Sequence, residues 1–321
     1  MAVYTSITKK NLESFLENYD IGTLNNFKGI LEGVENTNYK IFTSKDVFIL
    51  TIFEKRVNSE ELPFFIQLQK YLCNKQIKCP KPIADLNNNY VNNIEGKNCV
   101  IMSFLEGNKA VNVDTRHCYQ VAQELAKMHI HTKEFNLTRK NSLNYLSWRN
   151  IFNNCKKINL GSYNDLIDPI EKELNYLENK WPSNLPKGVV HADIFQDNVF
   201  FKKMELSGII DFYFACNDFY AYELAVTLNA WCFEKDGSFN ITKAQSILRC
   251  YQKEKPLINK EKEHLPILSR GAALRFLLTR LNDLIFHPKN AFVKPKNPEE
   301  YLKILRFHQG IKSFNEYGMD S

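Results

Sequence analysis

One eight-residue stretch limits what this chain can fold into more than any other. His191 to Asn198 reads H-x-D-x-x-x-x-N, with Asp193 and Asn198 five positions apart. Phosphoryl-transfer loops use this spacing to set a proton-accepting Asp beside a metal-ligating Asn. An apolar pair, Val189-Val190, leads into the stretch. Thirteen residues after Asn198, Asp211 opens a D-F-x turn, the expected place of a second metal ligand. Three fixed positions are a weak signal alone. Their placement after an apolar strand and before a hairpin makes the signal specific. The expected chemistry is phosphoryl transfer.

The chain is long enough for two lobes, at 321 residues, and its apolar fraction of 44% supports real cores. Net charge is +6, from 42 basic and 36 acidic residues, and no Lys/Arg run exceeds two. A nucleic-acid face needs clustered cations, so no nucleic-acid partner is expected. A membrane span needs about 18 apolar residues in a row, and none exists. The first residues lack a basic-then-apolar signal pattern. A cytoplasmic protein is expected. Eight cysteines, at 73, 79, 99, 118, 155, 216, 232 and 250, include no C-x-x-C pair. They are expected to be reduced, buried and structural.

Residues 38–42 and 47–53 read as strands around a polar turn. A helix is expected over 64–74, with Pro63 compatible only with its first turn. Further strands should end at 100–102. After Glu106-Gly107 helical spacing takes over, at 115–130, 165–179, 220–232, 242–252, 262–286 and 298–309. A hairpin of 199–201 and 207–210 interrupts it. The expected class is α+β, on a two-lobed kinase-like plan. A small antiparallel-sheet lobe (1–105) covers nucleotide, and a larger, mainly helical lobe (106–321) carries the catalytic loop.

Transfer to an alcohol needs an acceptor oxygen held in line, cations against the phosphates, and a destination for the hydroxyl proton. Asp193 is the expected general base; positioned bases contribute about 10²–10⁴-fold. Asn198 and Asp211 offer the hard oxygens that Mg²⁺ prefers. His191 is expected to orient the loop. Asp197 joins the metal shell or is an exposed cap. Gly29, Gly33 and Asn36 lie where a phosphate-covering turn belongs, since glycine lets backbone N–H groups approach phosphate. The same residues also suit an ordinary hairpin. Ser103 and Leu105 follow a buried-looking strand, where the backbone meets the adenine of ATP or simply links two lobes. A cation for the α/β-phosphates belongs on the third strand. Thr51 stands there instead. Lys55 and Arg56, just beyond, either replace it or are exposed strand-end charges.

Longer strings add to these motifs. They include Gly33-Val34-Glu35-Asn36, Phe53-Glu54-Lys55-Arg56-Val57, Val190-His191-Ala192-Asp193 and Asp197-Asn198-Val199-Phe200-Phe201. Ile210-Asp211-Phe212-Tyr213-Phe214-Ala215-Cys216-Asn217-Asp218 and Leu228-Asn229-Ala230-Trp231-Cys232-Phe233-Glu234 continue the series. On these the chain resembles the homoserine kinases of the aminoglycoside phosphotransferase/choline kinase superfamily, over nearly its whole length. The resemblance implies a protein-kinase-like fold, ATP and Mg²⁺, and phosphorylation of the L-homoserine hydroxyl on the route to threonine. Two residues depart from the superfamily pattern: Thr51 at the basic position, and Glu223 where an Asp is usual.

Homoserine is a zwitterion with a primary alcohol, so the acceptor site must pair a carboxylate and an ammonium. Arginine's fork suits a carboxylate. Arg275 is the first choice, against an internal salt bridge. Arg280 either joins it or pairs with Asp283 one turn on. Asp218 meets the ammonium or caps the helix from 220. Trp231 walls the pocket or sits in the core. Two other readings remain open: a kinase of a choline-like or aminoglycoside alcohol, and a nucleotide-binding pseudokinase.

Overall fold

Alternation of inward and outward side chains sets the first sheet. The computed structural model describes residues 5–31, 36–54, 58–158, 160–286 and 295–319. Strands β1 (Leu24–Ile30), β2 (Thr37–Thr43), β3 (Val47–Ile52), β4 (Pro82–Ile83), β5 (Asn92–Ile94) and β6 (Lys97–Ser103) form one antiparallel sheet. Its order is β1-β2-β3-β6-β4, with β5 also on β6. In β2 every second residue is buried, which sends Tyr39 and Ile41 into a core with Leu50 and Ile52. Helix α1 (Lys9–Leu16) covers that face with Leu12 and Leu16. The opposite face carries Asn38, Lys40, Ile49 and Thr51, as the cross-strand register requires.

Helix α2 (Leu62–Asn74) buries Phe65, Leu68 and Leu72, with Pro63 in its first turn. This smaller unit consists of residues up to Gly107 together with Ser207–Tyr213. The inserted segment is built in tightly. A Cβ on Gly208 would stand 2.8 Å from the Lys78 carbonyl oxygen. The Ile209 N–H donates to that oxygen at 2.9 Å. Tyr213 sets its ring edge-on to Phe53 and Phe65, at 5.1 and 5.6 Å between centroids.

The larger unit comprises Asn108–Leu206 and residues from Phe214 onward. Strand β7 (Asn108–Lys109) and helices α3 (Thr115–His131), α4 (Tyr145–Lys156) and α5 (Ile167–Lys180) come first. Strands β8 (Lys187–Val190), β9 (Val199–Lys202) and β11 (Cys216–Phe219) follow, with β10 (Glu205–Ile209) running from this unit into the smaller one. Then come α6 (Tyr220–Trp231), α7 (Ile241–Glu254), α8 (Asn259–Ile285) and α9 (Glu299–Gly310). The hairpin β9–β10 carries β7 on its other edge, and β11 pairs antiparallel with β8. Helix α6 is apolar nearly all round and buried nearly all round, as such a helix must be. Among the described residues no helix is long and apolar enough to cross a membrane.

The α+β class, a small antiparallel sheet followed by a larger helical part, is the one expected. Helices α1 and α4 were not anticipated. Each starts on a capping side chain, Thr8 and Asn144, that accepts a backbone N–H of its first turn. Helix α9 starts one position later than its Asn-Pro signal implies. Asn297 Oδ1 still accepts the Glu299 N–H, at 2.9 Å.

Candidate active site

Strand β8 delivers the chain into the 191–198 loop, and buried side chains from two helices hold that loop by its backbone. Glu223, on α6 and fully buried, accepts the His191 N–H and, at 3.0 Å, the Ala192 N–H. The Ala192 carbonyl accepts Nη1 of Arg275, on α8. The Ile194 carbonyl accepts the Trp231 indole N–H at 2.7 Å. Gln196 Nε2 donates to the Ala230 carbonyl at 3.0 Å. Ala192 itself is left-handed, φ +64°, a conformation that costs a residue with a Cβ about 1–2 kcal/mol. The surrounding bonds hold Ala192 in that conformation.

Asp193 and Asn198 meet as the spacing predicts. Asn198 Nδ2 donates to the Asp193 carbonyl at 2.9 Å and to Asp193 Oδ2 at 3.0 Å. With its nitrogen so committed, the amide turns Oδ1 the other way, as a hard ligand for a cation must be turned. Burial raises the Asp193 carboxyl above its ordinary value. The Arg275, His191 and Lys296 charges and the Asn198 amide oppose that rise. A raised carboxyl is a stronger proton acceptor once ionised. His191 Nδ1 accepts the Asp193 N–H at 3.3 Å, which fits an orienting role. Asp197 is exposed and sits between Lys109 and Lys296, at 3.2 and 3.4 Å. Sequence reasoning missed these two lysines, because they are far from the loop along the chain.

All four residues expected at the acceptor site have partners inside the larger unit. Arg275 is only 2% exposed and its guanidinium serves the catalytic loop. Trp231 is completely buried and also serves the loop. Both are bonded to the backbone of the 191–198 loop, the arrangement that the internal-bridge and core readings of these two residues require. Arg280 pairs with Glu300 at 2.6 Å and with the Asn297 carbonyl at 3.0 Å. Asp218, on β11, is half-buried, and Asn141 Nδ2 and the Phe219 N–H donate to it at 2.6 and 2.7 Å. It lines a cavity of about 700 Å³ with Asn141, Trp181 and Tyr222, and Lys140 and Lys187 share the lining.

The residues expected to face nucleotide belong to the smaller unit. Gly29 pairs with Tyr39, and Asn36 Oδ1 accepts the Glu54 N–H at 3.5 Å. Gly33, Lys55 and Arg56 lie outside the described residues. Thr51 is buried and donates to Asn38 Oδ1 at 2.7 Å. Lys40 shares its face of the sheet, with Nζ 3.6 Å from the centre of the Phe104 ring. Ser103 is locked to the 78–81 segment: its N–H donates to the Lys81 carbonyl at 2.8 Å and its Oγ accepts the Lys81 N–H at 2.9 Å. Leu105 packs against Gly208. Asp211 is exposed and left-handed, φ +64°.

Residues 26–257 match the model of the phosphotransferase enzyme family. The chain is 50% identical to a homoserine kinase of Parvibaculum lavamentivorans, over 100% of both chains. It is 46% identical to a homoserine kinase of Agrobacterium fabrum, over 99% of both. Among solved structures, an amicoumacin kinase superposes with a TM-score of 0.72 at 14% identity, over 95% of this chain and 93% of that one. At that identity the likeness is one of fold, the protein-kinase-like one. The chain belongs to the phosphotransferase enzyme family, in company with full-length homoserine kinases.

Proposed function

We propose that the chain transfers the γ-phosphoryl group of ATP to the hydroxyl of L-homoserine, giving O-phosphohomoserine and ADP on the route to threonine. The observation that carries this reading is 50% identity with a homoserine kinase over the full length of both chains. Asp193 takes the hydroxyl proton as the oxygen attacks the γ-phosphorus, and ADP departs. Glu223, Arg275 and Trp231 keep the base in place. Asn198 Oδ1 offers one ligand for Mg²⁺, and Asp211 is assigned as the other on its place in the sequence. When bound, Mg²⁺ supplies positive charge against the phosphates. Gly29, Gly33 and Asn36 are proposed to cover the phosphates. The backbone at Ser103 and Leu105 is proposed to face adenine.

Asp218 is proposed to receive the substrate ammonium. Its hydrogen-bond donors, Asn141 and a backbone N–H, are neutral, and burial raises its carboxyl. A cation suits such a group, and the aromatic walls Trp181 and Tyr222 suit a cation too. Lys140 and Lys187 then face the carboxylate end. Asp218→Asn is expected to raise KM for homoserine about tenfold, the loss of a charge-assisted bond, while KM for ATP holds. Equal shifts for both substrates would remove Asp218 from the acceptor site.

The test of the whole reading is Mg²⁺-dependent ADP release over homoserine, serine, choline and an aminoglycoside. Homoserine should give the highest kcat/KM, and Asp193→Asn should end turnover while ATP still binds. Preference for another alcohol refutes the substrate, and surviving turnover in the variant refutes the base.

A further inference from the structure

Six of the eight cysteines behave as expected of core residues. Cys99, Cys118, Cys155, Cys216, Cys232 and Cys250 are buried. Burial pushes the Cys99 and Cys118 thiols up to about 12, where they are inert as nucleophiles. Cys73 and Cys79 differ on every count. Both are only half-buried, and their sulfurs lie 3.5 Å apart. Cys73 lies in the last turn of α2 and Cys79 opens the approach to β4, with a left-handed Gln76 turning the chain between them. The hydrogen bond from Cys79 holds the Cys73 thiol below its ordinary value, against burial and with help from Lys81. Proximity, access and an activated thiolate are the three conditions for facile disulfide chemistry.

We propose that Cys73 and Cys79 form a reversible disulfide-forming modification site, with peroxide as the class of oxidant. The Cys73 thiolate attacks one peroxide oxygen and breaks the O–O bond. This gives a sulfenic acid, and the departing hydroxide takes up a proton to become water. The Cys79 thiol then attacks the Cys73 sulfur, losing its proton. The S–S bond forms and a second water leaves. Two thiols and one hydrogen peroxide have become one disulfide and two waters.

Closing the bond draws the sulfurs from 3.5 Å to about 2.05 Å. The segment that must move is tied to two others. The Lys78 carbonyl accepts the Ile209 N–H, two residues before Asp211, and Lys81 is doubly bonded to Ser103. Oxidation therefore pulls on Ser103 and on the strand that leads to Asp211. This consequence rests on the nucleotide-side reading given above.

The reduced whole chain, treated with hydrogen peroxide, should lose about 2 Da, two hydrogens. Trypsin, cutting after Lys75 and Lys78, should release the Cys73 and Cys79 peptides joined, and dithiothreitol should part them. The Kd for ATP, measured by titration calorimetry, should rise about fivefold or more on oxidation and return on reduction. Cys73→Ser should show neither change. Sulfinic acid on Cys73 with no joined peptides overturns the proposal, and so does a joined form that binds ATP as tightly as the reduced one. A reduced chain that binds no ATP counts against the nucleotide reading instead, because the joined peptides are scored independently.

Discussion

Asp193 is held where its charge is disfavoured, a condition that bears on stability and, in the proposed role of Asp193 as base, on rate. Burial raises its carboxyl above the ordinary carboxylate value. In its proposed role as base, Asp193 works only when ionised, so the acid limb of kcat should lie at higher pH than an unperturbed Asp would give. Folding follows the opposite direction. Where the folded carboxyl titrates above the unfolded one, the folded state binds more protons. Its contribution to stability is full below the unfolded value and is lost as pH rises through the folded one. Asp193→Asn removes that loss. The variant should therefore unfold at a higher temperature than the parent at neutral pH, and the difference should vanish toward acid pH. A variant less stable than the parent at neutral pH would contradict the direction assigned to Asp193. The pair Asp193 and Asn198 was legible in the sequence because both lie on one short loop, five positions apart. Cys73 and Cys79 were not, because their closeness comes from a turn and not from a C-x-x-C spacing.

At the level of elements, the 191–198 loop, proposed to be catalytic, is a piece of backbone suspended from α6 and α8. Glu223 and Trp231 lie 32 and 37 residues from the groups they bind, and Arg275 lies 83 from its own. Helical spacing was enough to find both helices, but it cannot say which buried polar side chain meets which carbonyl. Arg275 is the example: the sequence leaves a substrate carboxylate and an internal partner both open, and the structure bonds its Nη1 to the Ala192 carbonyl. Its partner was a backbone oxygen, and a backbone oxygen leaves no mark in a sequence. Glu223 shows the converse. It is a buried polar side chain on an apolar helix, and it reaches the His191 and Ala192 N–H groups. Arg275→Met should expose the difference between a clamp and a prop. It leaves the Ala192 carbonyl unpaired, at about 1–3 kcal/mol, and lets Asp193 shift. Misplacement on the ångström scale lowers kcat about a hundredfold. The KM for homoserine and that for ATP should both stay near the parent's. A rise in KM for homoserine alone, with kcat kept, would restore Arg275 to the substrate.

At the scale of the whole molecule, the smaller unit is not one continuous length of chain. Strand and helix patterns up to residue 107 describe its sheet and α2, and they were readable because β2 alternates and α2 keeps helical spacing. Its completion by Ser207–Tyr213 was not readable, since nothing in a local pattern shows where a later segment returns. That segment fills the unit's interior. Tyr213 closes over Phe53 and Phe65, which are 4% and 0% exposed, and Gly208 lets the strand lie against the Lys78 carbonyl. Burying one large aromatic contributes about 1.5–3 kcal/mol, and whole domains are stable by only about 5–15. A fragment ending at residue 107 loses that ring, the Ile209–Lys78 hydrogen bond and the cover over two phenylalanines together. It should show no cooperative thermal transition by circular dichroism and should bind a hydrophobic dye, while the full chain unfolds cooperatively. Gly208→Ala in the full chain should act in the same direction and more mildly, because a Cβ 2.8 Å from a carbonyl oxygen forces the strand outward. Cooperative melting of the fragment alone would mean that the inserted segment is an ornament on a unit already complete without it.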